Sequence, residues 1–198
     1  MEPGQSYHIY NHANGTENIF REEENYLFFL KQYAKYLGDV VDTYAYCLMP
    51  NHFHLLVGVR PGSNLSGFQN LTGLGMIKHP SKNPAIKAFS DFFNSYTKAY
   101  NKRYERKGNL FIRAFNRRPI LDEQQWQETF LYIHLNPVKH GFVDRIEDWK
   151  WSSWHAYQQP EKPSHLERNY YLNFFDGPKH LTEMMDSKKE WLLNKNLE

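Results

Sequence analysis

The chain has 198 residues, 40% of them hydrophobic and 17% aromatic, and a formal net charge of +2. That composition excludes a disordered chain, which needs few aromatics and a large net charge. A single cysteine, Cys47, excludes both an internal disulfide and a cysteine-built zinc site. The longest apolar runs, such as Leu55-Leu56-Val57, are too short for a membrane helix. The first residues, Met1-Glu2-Pro3-Gly4-Gln5, lack the basic and apolar parts of a secretory signal, so a soluble cytoplasmic protein is expected.

In chain order, residues 6–11 are rich in β-formers and read as a first strand. Tyr26, Phe29, Leu30, Tyr33 and Leu37 recur with a helical period over residues 21–37, and Gly38 is a plausible stop. Residues 43–49 and 52–59 read as two strands joined through the Pro50-Asn51 turn, a hairpin. Residues 61–84 carry four glycines and three prolines and read as a mobile loop with one helical turn, expected to order on DNA. A long helix is expected over 85–106, with Pro84 in its first turn and Gly108 ending it. Residues 110–121 read as extended. Asp122 with Gln125 resembles a capping box that opens a helix, and Pro137 is expected to stop that helix near Asn136.

The order β-α-β-β-α-β-α points to an α+β protein. Its first six elements match a ferredoxin-like β-α-β-β-α-β core with an antiparallel sheet, followed by an extra helix. The division expected is a core over 1–145 and a C-terminal extension over 146–198 that packs on it. That tail holds Trp149, Trp151 and Trp154, and a last amphipathic piece with Met184, Met185 and Trp191.

Two segments carry chemistry. In a strand, residues i and i+2 share a face about 6.5–7 Å apart, so His52 and His54 point the same way while Phe53 and Leu55 point into the core. Two imidazoles on one face can ligate one metal ion. Taken alone, such a pair is more often two surface histidines. On a helix, positions i and i+4 are neighbours, so Tyr132 and Asn136 share a face. A phenol beside an amide oxygen offers a nucleophile next to a third ligand; taken alone, it is equally a core tyrosine and a helix-end asparagine. Between residues 98 and 118, eight Lys/Arg stand against one acid, Glu105, and leave the rest of the chain net acidic. Such a segment is the electrostatic footprint expected for a polyanion, and equally that of a solvated helix end and loop.

Together these segments are specific. His52-Phe53-His54 after Leu48-Met49-Pro50-Asn51, with Tyr132-Ile133-His134-Leu135-Asn136-Pro137-Val138 and Trp151-Ser152-Ser153, resembles the single-tyrosine HUH transposases. Within them the chain is most similar to the REP-associated tyrosine transposase branch, from about residue 7 to 157. The resemblance implies a ferredoxin-like catalytic core that cuts single-stranded DNA, often beside a hairpin, as a homodimer or a monomer. It implies Tyr132 as the nucleophile, forming a 5′-phosphotyrosine link and a free 3′-OH. It implies His52, His54 and Asn136 as ligands of Mg²⁺ or Mn²⁺. Members commonly carry basic residues just before the catalytic helix, which assigns Arg113, Arg117 and Arg118 to DNA phosphates, with Lys139 beyond the Asn-Pro pair. His134 is expected to pack, Cys47 to be a small buried hydrophobe, and His8 and His12 to be structural or surface residues. Trp151 and Trp154 are candidates for stacking on bases, with at least one of them expected in the core. Relatives often carry arginine where His12 stands. The competing expectations are a hairpin-binding protein that has lost cleavage and, ranked lower, an RNA-binding domain of the same fold.

Overall fold

The computed structural model describes residues 1–61, 83–112 and 115–195, the last three as backbone alone. Four strands, β1 (Ser6–His12), β2 (Val41–Met49), β3 (His52–Val59) and β4 (Asn116–Pro119), form one antiparallel sheet in the order β2-β3-β1-β4. Helices α1 (Glu23–Leu37) and α2 (Pro84–Arg103) connect the strands in the split βαβ manner, and α3 (Glu123–Lys139) follows β4. The α+β class and the ferredoxin-like core are as expected.

Strand alternation divides the molecule into two cores. Phe53, Leu55, Val57 and Val59 of β3 join Ile9 of β1, Leu48 of β2, Phe29 of α1, and Phe89, Phe92 and Tyr96 of α2 in one aromatic-rich core. The opposite face carries Ala45, Cys47, Met49 and Leu56, covered by Trp126, Phe130 and Ile133 of α3. A bulge in β2 lies between Thr43 and Ala45, so Tyr44 joins this second core. Cys47 is a buried thiol whose pKa burial pushes far up, the small hydrophobe expected.

The segment after α3 covers the β2 edge. Leu48 N donates to Trp151 O (2.9 Å) and Ser153 N donates to Tyr46 O (2.9 Å). This pairing removes an exposed edge that would otherwise template association. Short helix α4 (Trp154–Gln158) and helix α5 (Pro178–Lys195) follow. Leu181 and Met185 of α5 pack in the α3 core, and Trp126 stacks on Phe174 at 4.1 Å. Trp154 is buried and Trp151 stacks on Tyr26 at 4.3 Å. Trp154 is therefore not open to a base: it packs in the α3 core, its ring 5.5 Å from that of His134.

Two helix ends differ from expectation. Helix α2 stops at Arg103 rather than running to residue 106. Glu105 adopts φ +50 and Arg106 N reaches back to Asn101 O at 2.8 Å, so a left-handed turn ends the helix before Gly108. Helix α3 runs through Pro137 instead of stopping at Asn136. In the last turn proline forfeits only one backbone bond. Asn136 is held in helical conformation by its own amide, which donates to Tyr132 O (3.3 Å), while His140 N continues the ladder to Asn136 O (3.0 Å).

Of the stretch expected to be extended over 110–121, Phe111 bridges antiparallel to Ala13, with Asn14 N donating to Leu110 O and Ile112 N to His12 O, and β4 pairs with β1 from Tyr7 to Tyr10. The loop reading over 61–84 falls mostly outside the described residues, as does Arg113. Among the described residues, no helix is long and apolar enough to cross a membrane.

Candidate functional site

The hairpin turn and α3 place the two sequence segments against each other. His52 and His54 lie on the β3 face that α3 covers, at 3% and 5% exposure, so they are not a surface pair. Asn136 is fully buried beneath them. His52 Nδ1 lies 2.7 Å from Asn51 Oδ1 and its Nε2 lies 3.3 Å from Asn136 Oδ1, and a neutral imidazole has one N–H to give to only one of them. The Asn136 amide nitrogen is already committed to Tyr132 O. With the His52 proton on Nδ1, the Nε2 lone pair and Asn136 Oδ1 face each other in a buried place, an arrangement that repels unless a cation lies between them. Ligands of a cation at about 2.0–2.1 Å stand about 3 Å apart in cis, so the spacing suits a shared divalent ion.

Burial, the largest effect, pushes the His52 imidazole down to about 4, with a partial counter-effect from the Asn136 hydrogen bond. Burial, followed by the neighbouring His8, holds His54 well below its usual range. Both rings are therefore neutral at pH 7 and present ligand lone pairs. Among the described residues, no three His, Cys, Asp or Glu side chains converge on one point. The set that can hold a cation is His52, His54 and the Asn136 amide oxygen. All three are uncharged donors, which suits a weakly held Mg²⁺ or Mn²⁺ with positions left for phosphate oxygens.

Tyr132 packs edge-on against His54, with ring centroids 5.3 Å apart, and it is half-buried rather than sealed in the core. Lys139 Nζ lies 4.9 Å from the Tyr132 ring centroid. A phenol, a cation and two imidazoles thus share one rim.

His134 belongs elsewhere. Fully buried, it donates from Nδ1 to Phe130 O (2.9 Å) and accepts at Nε2 from Ser153 Oγ (2.7 Å). Ser153 Oγ in turn accepts from Tyr46 N (2.8 Å), so His134 ties α3 to the β2 edge. Burial pushes its imidazole down to about 3. It is the packing residue the sequence suggests.

The basic candidates separate. Arg118 pairs with His8 across β1–β4 and shares the histidine face, 5.7 Å from the Tyr10 ring centroid. Arg117 points to the other face, 5.6 Å from the Phe115 ring centroid. The run of cations also loses members to ion pairs: Arg103 with Glu22 and Arg106 with Glu17, each at 2.6 Å. Among the described residues, the run does not gather into a single basic patch at the site.

Sequence reasoning misplaced His8 and His12. The register pairs His12 with His52 and Tyr10 with His54, which puts both β1 histidines on the site face. His8 Nε2 lies 2.9 Å from His54 Nδ1. Burial, and after it the Arg118 guanidinium, pushes His8 down to about 4, so it too is neutral. His12 stacks on His52 at 4.7 Å, and His140 packs edge-on against it at 5.2 Å. The alternation His8-x-Tyr10-x-His12 was the available signal. Its meaning depended on a pairing register between distant segments.

No family model matches the chain. It is 27% identical over 114 residues, 58% of this chain and 59% of the relative, to a Haemophilus influenzae protein provisionally named a REP-associated tyrosine transposase. It is 34% identical over 47 residues, 24% of this chain and 28% of the relative, to the REP-associated tyrosine transposase of Escherichia coli. The matched stretches thus span less than two thirds of either relative. Among solved structures, a REP-associated tyrosine transposase bound to a REP hairpin matches with a TM-score of 0.57 at 17% identity. That match covers 83% of this chain and 85% of the other, and it shows the fold.

Proposed function

We propose that the chain is a metal-dependent nuclease and strand transferase acting on single-stranded DNA beside a hairpin. The observation that carries this reading is the buried convergence of His52 Nε2 and Asn136 Oδ1, 3.3 Å apart, beside His54 and the Tyr132 phenol. The relatives named for transposition and the similar fold that holds a REP hairpin support the substrate.

His52, His54 and Asn136 would hold the ion. A bound Mg²⁺ or Mn²⁺ would supply charge neutralisation at the scissile phosphate and help align it. Tyr132 supplies the nucleophile, because a phenol adduct can be reversed whereas hydrolysis cannot. Its hydroxyl loses a proton and forms the new oxygen–phosphorus bond. The bond from phosphorus to the 3′-oxygen breaks, and that oxygen takes up a proton as the free 3′-OH. The 5′-phosphotyrosine stores the phosphodiester energy, so a 3′-OH returning to the same phosphorus rejoins strands. Arg118 and Lys139, on the site face and rim, hold the DNA backbone by charge. Arg117, on the other face, is assigned a weaker backbone contact, and Arg113 keeps the phosphate contact that the resemblance implies.

The test is incubation of the protein with labelled single-stranded DNA carrying a hairpin, with Mn²⁺. A covalent protein–DNA adduct is expected with wild type and none with Tyr132→Phe, at unchanged melting temperature. An adduct that survives Tyr132→Phe rejects the mechanism. A metal-insensitive gel shift without any adduct selects the reading of a hairpin-binding protein that no longer cleaves.

A further inference from the structure

We propose that His8 is a positioning residue for the His54 ligand: its Nε2, 2.9 Å from His54 Nδ1, accepts a hydrogen bond that leaves the His54 Nε2 lone pair free for a divalent cation. The inference rests on the metal reading above, but it concerns a residue that no ligand set includes.

The two rings come from different strands. His8 is opposite Leu56 and Tyr10 is opposite His54, so His8 reaches His54 on the diagonal of the antiparallel pair. Aromatic side chains span that diagonal. His8 and His54 have ring centroids 5.1 Å apart, and Tyr10 lies against both, at 4.9 Å and 5.7 Å. This packing holds the two nitrogens in line. A neutral imidazole has one donor and one acceptor nitrogen, so the partner of Nδ1 decides what Nε2 can do. A ligating histidine commonly gives its second N–H to such a partner, which fixes the tautomer and the ring angle. The two ligands are then placed alike, each with a polar partner within hydrogen-bond reach of Nδ1: Asn51 Oδ1 at 2.7 Å for His52 and His8 Nε2 at 2.9 Å for His54.

Two measurements on the full chain test this. The first is the nitrogen-15 spectrum of the histidine side chains in metal-free protein. His54 protonated at Nδ1 and bare at Nε2 is expected; protonation at Nε2 overturns the inference, whatever the protein does with metal. The second is Mn²⁺ titration by calorimetry. His8→Phe should weaken binding about 10–100-fold. His8→Gln should stay within a few-fold of wild type, because glutamine places an acceptor oxygen where the imidazole Nε2 stood. A purely structural role predicts no such rescue. Wild-type affinity in His8→Phe overturns the His8 inference alone. A wild type that binds no Mn²⁺ overturns the metal reading, and the ligand-orienting purpose of His8 falls with it.

Discussion

Phe53 lies between His52 and His54 on one strand, yet it belongs to a different chemistry. Its ring is fully buried among Phe29, Phe93 and Phe111 on the α1/α2 face. The histidines are almost as buried on the α3 face, but besides Cys47 and Met49, their partners in register on β2, they meet Asn51, Asn136, His8, His12 and Tyr132. One face obtains its stability from apolar area removed from water. The other keeps lone pairs dry, which is tolerable only with partners. The α3 face is itself graded. Cys47, Leu56 and Ala45 continue the apolar packing away from the histidines, so the site sits at one end of a sound core.

The sharpest way to break this comparison is to remove each residue in turn. Phe53→Ala should cost about 3–5 kcal/mol in urea unfolding, as large-to-small changes in a closed core do. His54→Ala should cost far less in metal-free protein. It should abolish the stabilisation that Mn²⁺ gives wild type, about 2.7 kcal/mol at a hundredfold excess over the dissociation constant. Equal costs for the two variants, with Mn²⁺ stabilisation intact, would erase the distinction between the faces.

His134 offers a smaller and more selective test, because it is a buried histidine with a structural task. His134→Phe should cost about 1–3 kcal/mol at pH 7, since Phe130 O and Ser153 Oγ lose their partner. The folded imidazole is pushed down to about 3, while in the unfolded chain it titrates near 6.5. Between those values the unfolded chain takes up a proton that the folded chain refuses. Stability from this group is complete above about pH 6.5 and declines by about 1.4 kcal/mol per pH unit as the pH falls toward 3. The gap between wild type and His134→Phe in urea midpoint should therefore narrow from pH 7 to pH 5. A gap that widens on acidification contradicts the assignment.

The smallest expected effect separates the two arginines of β4. Arg118→Ala, on the histidine face, should weaken hairpin binding several-fold and reduce the salt slope by about one. Arg117→Ala, on the Phe53 face, should change both less. A larger loss for Arg117, read by fluorescence anisotropy at two salt concentrations, would move the DNA path to the other side of the sheet.

Much of the fold was legible because its signals are local. The alternation through His52–Val59 and the helical spacing of Phe29, Tyr33 and Leu37 report periods of the backbone itself. Tyr132 and Asn136 were legible as a pair for the same reason. The ends of the helices were not. Glu105 in a left-handed turn and Pro137 inside α3 are local exceptions, held by short-range bonds that residue spacing does not reveal. Nor was the destination of Trp151–Ser153 visible, since a strand edge accepts any backbone of suitable reach.

By itself, then, the sequence determined which side chains share a face: His52 with His54, Tyr132 with Asn136, and Phe53 away from all four. Only the tertiary structure decided that these faces meet, that His8 and His12 join them, and that Arg117 and Arg118 part company. The physical reason is that side-chain direction follows from dihedral periods within a few residues. Pairing register between β1, β3 and β4, and the docking of α3, are settled by apolar area summed over the whole molecule.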